Sequence, residues 1–540
     1  MSGNKPDNVN IEGYAAPEAG MVPRERYNYD PQTGKPIPKE KPTFDLTNRD
    51  RLFLWLSIAL SIVGVALTFW GGFKSGFTIT YVLLFILLTI YFYRGKLTVY
   101  GTICGALALL SAGVYTYTAD GTVNFFLLVV LFALSAVWFS SLRGYEERKT
   151  DFGLFTHVFA STFGVAFSGI GISARSIFKK DGKKAGFIKV LIGIACAVPV
   201  VFIVVGLLTD ADAAFEALID KIGEFLEKSL WQVFVGLLLA PILISYGLNM
   251  KKRERVSKPV KEKKGIGNLY ILAFLGAMCL AYILYLVAQL GYFFNGFMGI
   301  LPEGSTYAEY ARRGFFELCV VAGINFLVIF LVLLFSRKKN QKPQLGIAVE
   351  CTFIGAFTLV IIATAIAKMA LYMKTYGLTV PRIICTAFMV LLAVVFIALI
   401  VRLFVTNVPV LRIGLVTATV LLLILGYGNM DKVIAEHNMN LYKTGVRDTA
   451  DPYEMEKLGA TGVPYLIELT KDKNAEEKQN AEMCLDGLLW RWYSVVDYEK
   501  SETEYKRDNR NLGDWNYSVT PNLKLLEEYF ETTKGYSFKQ

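Results

Sequence analysis

The chain has little of what most enzyme and metal sites are built from. It contains only two histidines, His157 and His437, so a histidine-rich metal site is not expected. No HExxH zinc helix, no GxxxxGKS/T phosphate loop and no GxSxG nucleophile turn occurs in it. We therefore predict no metal, no cofactor and no catalytic residue. This favours a protein without enzymatic activity, although acidic residues such as Glu303 and Glu309 leave an envelope-modifying enzyme open as an alternative.

Cysteine is scarce as well, and its placement argues against a disulfide framework. Six of the seven cysteines lie inside apolar segments without a CxxC pair, and Cys484 stands alone in the polar C-terminal region. A single thiol cannot form a disulfide within that region. The six others are typical of small apolar packing residues; they are Cys104, Cys196, Cys279, Cys319, Cys351 and Cys385.

Charge is low and apolar runs are long. Charged residues make up 19% of the chain, and the mean hydropathy is +0.42, which is too apolar for a soluble protein of this length. About eleven windows approach the roughly 20 residues that a helix needs to cross a bilayer. The fold class is therefore an all-α polytopic membrane protein, with spans predicted at 52–70, 76–94, 97–117, 124–142, 187–208, 230–249, 269–291, 315–336, 346–372, 383–405 and 409–427.

The region before the first span, residues 1–50, is polar and rich in proline and glycine, so we predict a disordered cytoplasmic tail. It contains no apolar stretch typical of a cleavable signal peptide. We expect the first membrane helix to act as the insertion signal.

Loop charges orient the helices of the predicted bundle, residues 51–428. Basic residues concentrate in every second loop, as in 251–264 and 337–342. Because cytoplasmic loops carry an excess of lysine and arginine, the N-terminus is predicted inside and residues 429–540 outside the cell membrane. These last 112 residues carry 15 basic and 21 acidic side chains, a net charge of −6. The positive total of the chain is thus explained by its loops, and no nucleic-acid partner is expected.

Two further segments are amphipathic and are predicted to lie along the membrane surface. In 151–170 phenylalanines recur at three- and four-residue steps, and 211–229 places apolar residues on one face and acids on the other. A substrate gate or a partner-docking helix is the alternative for both.

The region 429–540 is predicted to be a small helical module outside the membrane. Its apolar spacing predicts helices at 453–470, 475–498 and 521–533, with Pro464 bending or splitting the first. We expect its aromatic residues to form a core, with a ligand platform as the alternative; these are Trp490, Trp492, Tyr493 and Trp515.

Two stretches carry a family resemblance. The first is Tyr-Gly-Leu-Thr-Val-Pro-Arg at 376–382. The second runs from Val-Ile-Ala-Glu-His-Asn at 433–438 through Asp451 and Tyr453 to Leu-Gly-Ala-Thr-Gly-Val-Pro at 458–464, and ends near Trp515. The chain resembles bacterial multi-pass membrane proteins grouped as domain of unknown function 4153 or 4173. It departs from them at 459–462, where that family more often has a serine and an aspartate. The resemblance implies a membrane bundle with a final module and no assigned chemistry.

The stretch 376–382 also reads as a joint between two helices. Gly377 permits a sharp break after Tyr376, Thr379 is a candidate N-cap, and proline at position 381 suits the first turn of the next helix. Arg382 could hold a phosphate or carboxylate, or an acid of the C-terminal module. Its alternative role is an interfacial anchor.

Polar residues inside predicted spans mark further candidates. Glu350 and Lys368 belong to the same span and are about 27 Å apart along a helix, so they cannot pair. Glu350 is either a transport residue or a group at headgroup level. Pro199 and Pro241 permit kinks in consecutive spans, which would favour a substrate path.

The third predicted span carries a close-packing motif. Gly101 and Gly105 form a GxxxG motif that favours close approach of another helix.

As a function we predict a non-enzymatic cell-envelope protein that binds membrane lipids or an envelope protein partner. A secondary transporter is the first alternative and a membrane enzyme the second.

Overall fold

The computed structural model describes residues 45–68, 74–93, 97–118, 120–143, 213–252, 267–298, 315–336, 343–405, 408–497, 504–507 and 515–539, with five single positions between 167 and 204. The predicted tail, the fifth span, the phenylalanine segment 151–170 and Pro199 lie wholly or mainly outside these residues. The apolar helices in the described ranges are α1 (Asn48–Thr68), α2 (Ser75–Phe92), α3 (Val99–Val114), α4 (Gly121–Leu142), α5 (Ala213–Lys252), α6 (Asn268–Met298), α7 (Phe315–Phe335), α8 (Leu345–Tyr376), α9 (Val380–Phe404) and α10 (Val410–Tyr427).

Eight helices in the described ranges are long and apolar enough to cross a membrane, judged by length and composition. Helix α3 and the apolar part of α7, Val320–Phe335, are shorter than this. The described helices therefore establish the membrane class of the fold, and the total of eleven spans stays a prediction. The described cysteines, including Cys104, Cys351 and Cys484, are free thiols.

Helix α5 differs from the prediction. The segment 211–229 does not form a separate helix, because one 40-residue helix runs without a break from residue 213 through the sixth predicted span. Pro241 lies inside α5 and does not end it. Helix α1 supports α5 on both sides of the proline: Gly236 lies against Ile62 and Gly247 against Phe53. Helix α1 is thus packed against the stretch of α5 that contains the proline, a residue that removes one backbone hydrogen bond.

The helix ends fall into two groups at opposite ends of the bundle. Asp50 at the start of α1 meets Tyr91 at the end of α2 and Lys251 at the end of α5. Arg143, just after α4, donates to the carbonyl of Lys251. Helices α6 and α8 run parallel, since Gly346 lies against Leu272 and Gly276 against Glu350. We call this the basic end, because the basic stretches 251–264 and 337–342 adjoin helix ends located there.

Asp50 is the centre of a polar clasp at the basic end. Its side chain is fully buried, pairs with Lys251, and accepts hydrogen bonds from Tyr91 and Thr47. The Tyr91 ring stacks on Phe53 at 3.9 Å, and the Lys251 ammonium lies 4.6 Å from the Tyr91 ring centre. Every polar group of the clasp has a partner, so we regard it as structural. Sequence reasoning did not single out Asp50, because its partners lie up to 201 positions away.

The residues after α10 form a C-terminal unit with its own hydrophobic core. Its elements are α11 (Met430–Lys443), α12 (Pro452–Lys457), a 3-10 turn (Gly459–Gly462), α13 (Val463–Leu469), α14 (Ala475–Trp492), β1 (Tyr493–Asp497), β2 (Glu504–Arg507), α15 (Thr520–Lys534) and β3 (Ser537–Lys539). Pro464 occupies the first turn of α13, so the predicted helix 453–470 is split as expected.

The prediction that this unit is purely helical is wrong. The predicted helix 475–498 ends at Trp492, and the following residues form β1, which pairs antiparallel with β2. Strand β3 completes the sheet by pairing parallel with β2. The segment Tyr493–Asp497 is rich in aromatic and β-branched residues, which favour an extended strand once partners are present.

Candidate functional site

The joint between α8 and α9 adopts the predicted break. Gly377 ends α8 with a φ of 77°, a backbone conformation that favours glycine, and Pro381 lies in the first turn of α9. Thr379 occupies the N-cap position, but its side chain makes no capping hydrogen bond, so that part of the prediction is wrong. The backbone of the preceding residue, Leu378, is hydrogen-bonded by a side chain of the C-terminal unit.

Arg382 folds back onto the joint. Its guanidinium donates to the carbonyl of Tyr376 at 3.1 Å and to the carbonyl of Gly377 at 2.6 Å. It also lies 4.3 Å from the ring centre of Tyr372. A cation at the carbonyl end of a helix is favourable, so Arg382 closes the end of α8.

Asn438 of the C-terminal unit forms hydrogen bonds with the backbone of the joint. Its Oδ1 accepts the Leu378 backbone N–H at 2.7 Å, and its Nδ2 donates to the Leu378 carbonyl at 2.8 Å. The side chain is 2% exposed. A Cβ at position 377 would collide with Asn438 Oδ1, which is a second reason for glycine there.

A second contact ties the unit to the turn between α3 and α4. Asn516 Nδ2 donates to the Tyr115 carbonyl at 3.0 Å, the backbone N–H of Tyr517 donates to the Thr116 carbonyl at 2.8 Å, and Ser518 Oγ donates to the Tyr117 carbonyl at 2.5 Å. The unit is therefore fixed to the bundle end opposite the basic end.

Aromatic side chains and one lysine surround this contact. Tyr117 packs against Tyr427 with ring centres 5.0 Å apart and against Tyr517 at 5.2 Å. The backbone N–H of Ser75 donates to the Trp515 carbonyl, and the Lys74 ammonium lies 5.5 Å from the Trp492 ring centre. We call this group the aromatic seam; it consists of Lys74, Tyr117, Tyr427, Trp492, Trp515 and Tyr517.

The aromatic seam corrects one prediction. Trp490 and Trp515 are 57% and 52% exposed, so neither belongs to the core in which both were expected. Tyr493 is buried as predicted, and its hydroxyl donates to Glu527 at 2.7 Å. Exposed tryptophan beside the ends of apolar helices is typical of the interface between membrane and water.

A buried carboxyl lies where α11 meets the bundle. Asp431 is 5% exposed, and its Oδ1 has no hydrogen-bond partner. Burial, and next the charge of Asp120, raise the pKa of Asp431 to about 7. Asp120 caps α4, accepting the Val123 N–H at 2.7 Å, and burial raises the pKa of its carboxyl as well.

A polar track runs between α6, α7 and α8. The Tyr282 hydroxyl donates to Asn325 Oδ1 at 2.5 Å, Asn325 Nδ2 donates to Thr358 Oγ1 at 2.9 Å, and that hydroxyl donates to the Ile354 carbonyl at 2.7 Å. Glu350 lies two turns before Thr358 on α8, and its Oε2 is buried without a hydrogen-bond partner. The Cys279 thiol of α6 donates to the Glu350 carbonyl at 3.8 Å.

The predicted residues therefore do not form one site. Tyr376, Gly377, Thr379 and Arg382 lie together beneath the C-terminal unit, whereas Glu350 belongs to the basic end. Within the described ranges, no group of three or more histidine, cysteine or acidic residues is placed to hold a metal ion. Sequence reasoning missed the roles of Asp431 and Asn438, although both are polar residues on the apolar face of α11.

The described structure defines an α-helical membrane protein whose C-terminal unit is docked on one end of the bundle. The chain belongs to the family described as Domain of unknown function (DUF4153), whose model matches residues 104–469. The matched region runs from α3 to the end of α13, so it includes the joint, Asn438 and the polar track, and it ends before Trp492 and Trp515. No curated protein matches the chain. No solved structure matches it either.

Proposed function

We propose that this protein is a bacterial cell-membrane protein that binds lipid headgroups with its aromatic seam and catalyses no reaction. Its N-terminus is cytoplasmic and its C-terminal unit extracytoplasmic. Two observations support this orientation. The basic stretches 251–264 and 337–342 adjoin helix ends on one side of the bundle, and the C-terminal unit of net charge −6 is docked on the opposite side.

The observation that carries the proposal is the composition and position of the aromatic seam. Trp515 and Tyr517 are more than half exposed, and they lie beside the ends of α3 and α10. Tryptophan and tyrosine combine an apolar ring with a polar group, which suits the headgroup layer. Lys74 at the start of α2 adds a cation that can pair with a lipid phosphate.

The seam exists only because the unit is docked. Asn516, which is fully buried, and Ser518 hold the segment that carries Trp515 and Tyr517 on the turn after α3. A lipid at this surface would contact both parts of the protein at once. The headgroup is thus recognised by the assembled protein and not by an isolated module.

The test is native mass spectrometry of the full chain released from lipid discs that contain phosphatidylethanolamine and phosphatidylglycerol. We expect retained lipids, with at least a fivefold loss of the bound fraction in the double variant Trp515→Ala, Tyr517→Ala. Trp231→Ala is the matched control, because Trp231 is an exposed aromatic residue on α5 that stacks on Phe234 away from the seam. Equal retention in the wild type and double variant would overturn the proposal. The proposal would also be overturned if the wild type copurified with a protein and not with lipid, and the double variant lost that protein. Such a result would favour an envelope protein partner.

Orientation has a separate test. A phosphatase reporter fused after Gln540 is expected to be active, because that enzyme folds only outside the cytoplasm. Activity of a cytoplasmic reporter at the same position would reverse the assignment of both ends.

A second candidate function is secondary transport, which the polar track favours. A charge at mid-membrane costs about 3 kcal/mol on insertion scales, so a carboxyl inside an apolar helix usually faces a cavity, a ligand or a partner. Glu350 Oε2 has no hydrogen-bond partner among the described residues. Lys368 lies five helical turns further along the same face of α8.

Proton flux into proteoliposomes, followed with an enclosed pH-sensitive dye, tests this candidate. We expect flux in the wild type and its loss in Glu350→Gln. Thr352→Val is the matched control, because the Thr352 hydroxyl donates to the Ala348 carbonyl of its own helix and bonds to no other described residue. Absence of flux in the wild type, or equal flux in Glu350→Gln, would remove the proton-coupled form of the transport candidate.

A further inference from the structure

Asp431 and Asp120 face each other across the contact between the C-terminal unit and the bundle. Asp431 is the second residue of α11, the first helix of the unit, and Asp120 is the N-cap of α4 in the bundle. The Asp120 carboxylate acts on Asp431 electrostatically. The two acids thus belong to different parts of the protein and meet only when those parts are docked.

The surroundings of Asp431 offer its negative charge little compensation. Its neighbours Met430 and Ile434 pack into an apolar cluster with Val123 and Leu127 of α4. Its Oδ1 is buried without a hydrogen-bond partner, and so is Oδ1 of Asn124, one turn beyond Asp120. An ionised carboxylate there loses most of its hydration, and its place in the first turn of α11 offsets only part of that cost.

Among the described residues, no cation of the packed elements forms an ion pair with Asp431 or Asp120. On α11 itself, Lys432 is exposed and pairs with Glu436 at 3.6 Å. At the joint, the Arg382 guanidinium bonds to the carbonyls of Tyr376 and Gly377. The turn before α4 contributes Asp120 and the hydroxyls of Tyr115 and Tyr117. The Tyr115 hydroxyl donates to the Asn124 carbonyl, and the Tyr117 ring packs on Tyr427. Among the described charged groups, Asp120 alone acts on Asp431.

We propose that Asp431 and Asp120 form a proton-binding latch, which keeps the C-terminal unit docked while the pair holds a proton and loosens it when that proton is lost. The latch is independent of the lipid-binding proposal. It needs only the burial of Asp431, its unpartnered oxygen and the opposing carboxyl.

The direction of the pH effect follows from linkage. The pKa of Asp431 rises from 3.8 to about 7 in the docked state, so this state binds more protons than the undocked one between these values. Docking is therefore strongest below about pH 4 and weakens by up to tenfold per pH unit as the pH rises towards 7. Above that value the loss is complete, and docking depends on Asn438 and Asn516.

The test is hydrogen exchange of the full chain in lipid discs at pH 5.5 and pH 8.5, corrected for the intrinsic pH dependence of exchange. The reporters are the backbone amides of Leu378 and Tyr517, which are protected only by docking. All proteins carry His437→Gln, so that α11 contains no histidine. We expect at least tenfold lower protection of both amides at pH 8.5.

Asp431→Asn mimics the protonated side chain and is expected to give high protection at both pH values. Asp120→Asn removes the charge that helps to raise the pKa of Asp431, so the loss of protection should be smaller and its midpoint should move to lower pH. Glu436→Gln is the matched control, because Glu436 is an exposed acid of α11, and it should leave the pH dependence unchanged. Equal protection at both pH values before these substitutions, or an unchanged pH dependence in Asp431→Asn, would overturn the latch. If Asp431→Asn fails to fold, an unchanged midpoint in Asp120→Asn overturns it.

Discussion

Asn438 binds both backbone groups of Leu378, 60 positions away, with one side-chain amide. This pair joins the last helix-to-helix joint of the bundle to the first helix of the C-terminal unit. An amide is the side chain suited to this role, because it offers a donor and an acceptor side by side. The contact resembles one rung of a β-ladder made by a side chain.

Asn438→Ala is expected to loosen the unit. It leaves the N–H and carbonyl of Leu378 without partners in a buried setting, at about 1–3 kcal/mol for each group. The free energy of unfolding in detergent, measured by denaturant titration, should fall by about 2–4 kcal/mol. Asn440→Ala, at an exposed position of the same helix, is the control. A loss equal to that of the control would show that the amide does not hold the joint.

The clasp at the basic end predicts a thermodynamic coupling. Lys251→Met leaves the fully buried Asp50 without its cation, and removing one partner of a buried pair typically costs about 3–5 kcal/mol. Adding Asp50→Asn should recover part of this loss, because the uncompensated charge is then absent. A double-mutant cycle on unfolding free energies measures the coupling. Additive effects of the two substitutions would contradict it.

The GxxxG motif of α3 predicts a steric effect. A Cβ at Gly105 would lie 2.9 Å from the Trp138 ring, and one at Gly101 would collide with Ser141, so both glycines allow close approach of α4. Gly105→Ala is expected to cost about 1–3 kcal/mol through overpacking, measured as a lower midpoint of thermal unfolding. Gly121→Ala is the control, because nothing lies within 4 Å of its Cβ position. Equal midpoints for the two variants would refute the steric argument.

The polar track predicts a cost for removing its central amide. Asn325→Leu leaves the Tyr282 hydroxyl without its acceptor in a buried setting and takes one donor from Thr358, so stability should fall by about 1–3 kcal/mol. Thr386→Val, whose hydroxyl bonds only to the Arg382 carbonyl of its own helix, should cost less than half as much. Denaturant titration compares the two. A neutral Asn325→Leu would mean that the track has no structural role and is retained for another purpose.

The elements that could be predicted are those whose structure depends on residues close together in the sequence. Ten predicted spans fall on α1–α10, because a run of about 20 apolar residues already determines a membrane helix. The joint at Gly377 and Pro381 was predictable for the same reason, since φ preferences belong to single residues. The resemblance to the family rested on this stretch and on the residues of α11 to α13, and the family match confirms it.

The wrong predictions concern residues whose conformation or exposure depends on partners that are distant in the sequence. The segment Tyr493–Asp497 forms a strand because Glu504–Arg507 and, through it, Ser537–Lys539 supply hydrogen-bond partners. Thr379 makes no capping bond, and the backbone of its neighbour Leu378 is held by Asn438. Trp515 is exposed because its backbone is fixed on Ser75 at the edge of the bundle.

The sequence by itself determined the membrane class, the places of the described spans, the break at 377 and the family, because hydropathy, helix length and backbone preference act over a few residues. Only the tertiary structure decided which polar groups meet. Asp50 and Lys251 are 201 positions apart, and Asn516 and Tyr115 are 401 apart. Such contacts depend on how whole helices pack, and no periodicity or local spacing encodes them. The same packing buries Asp431 opposite Asp120, which turns an ordinary acid near a helix start into a group that titrates near neutral pH.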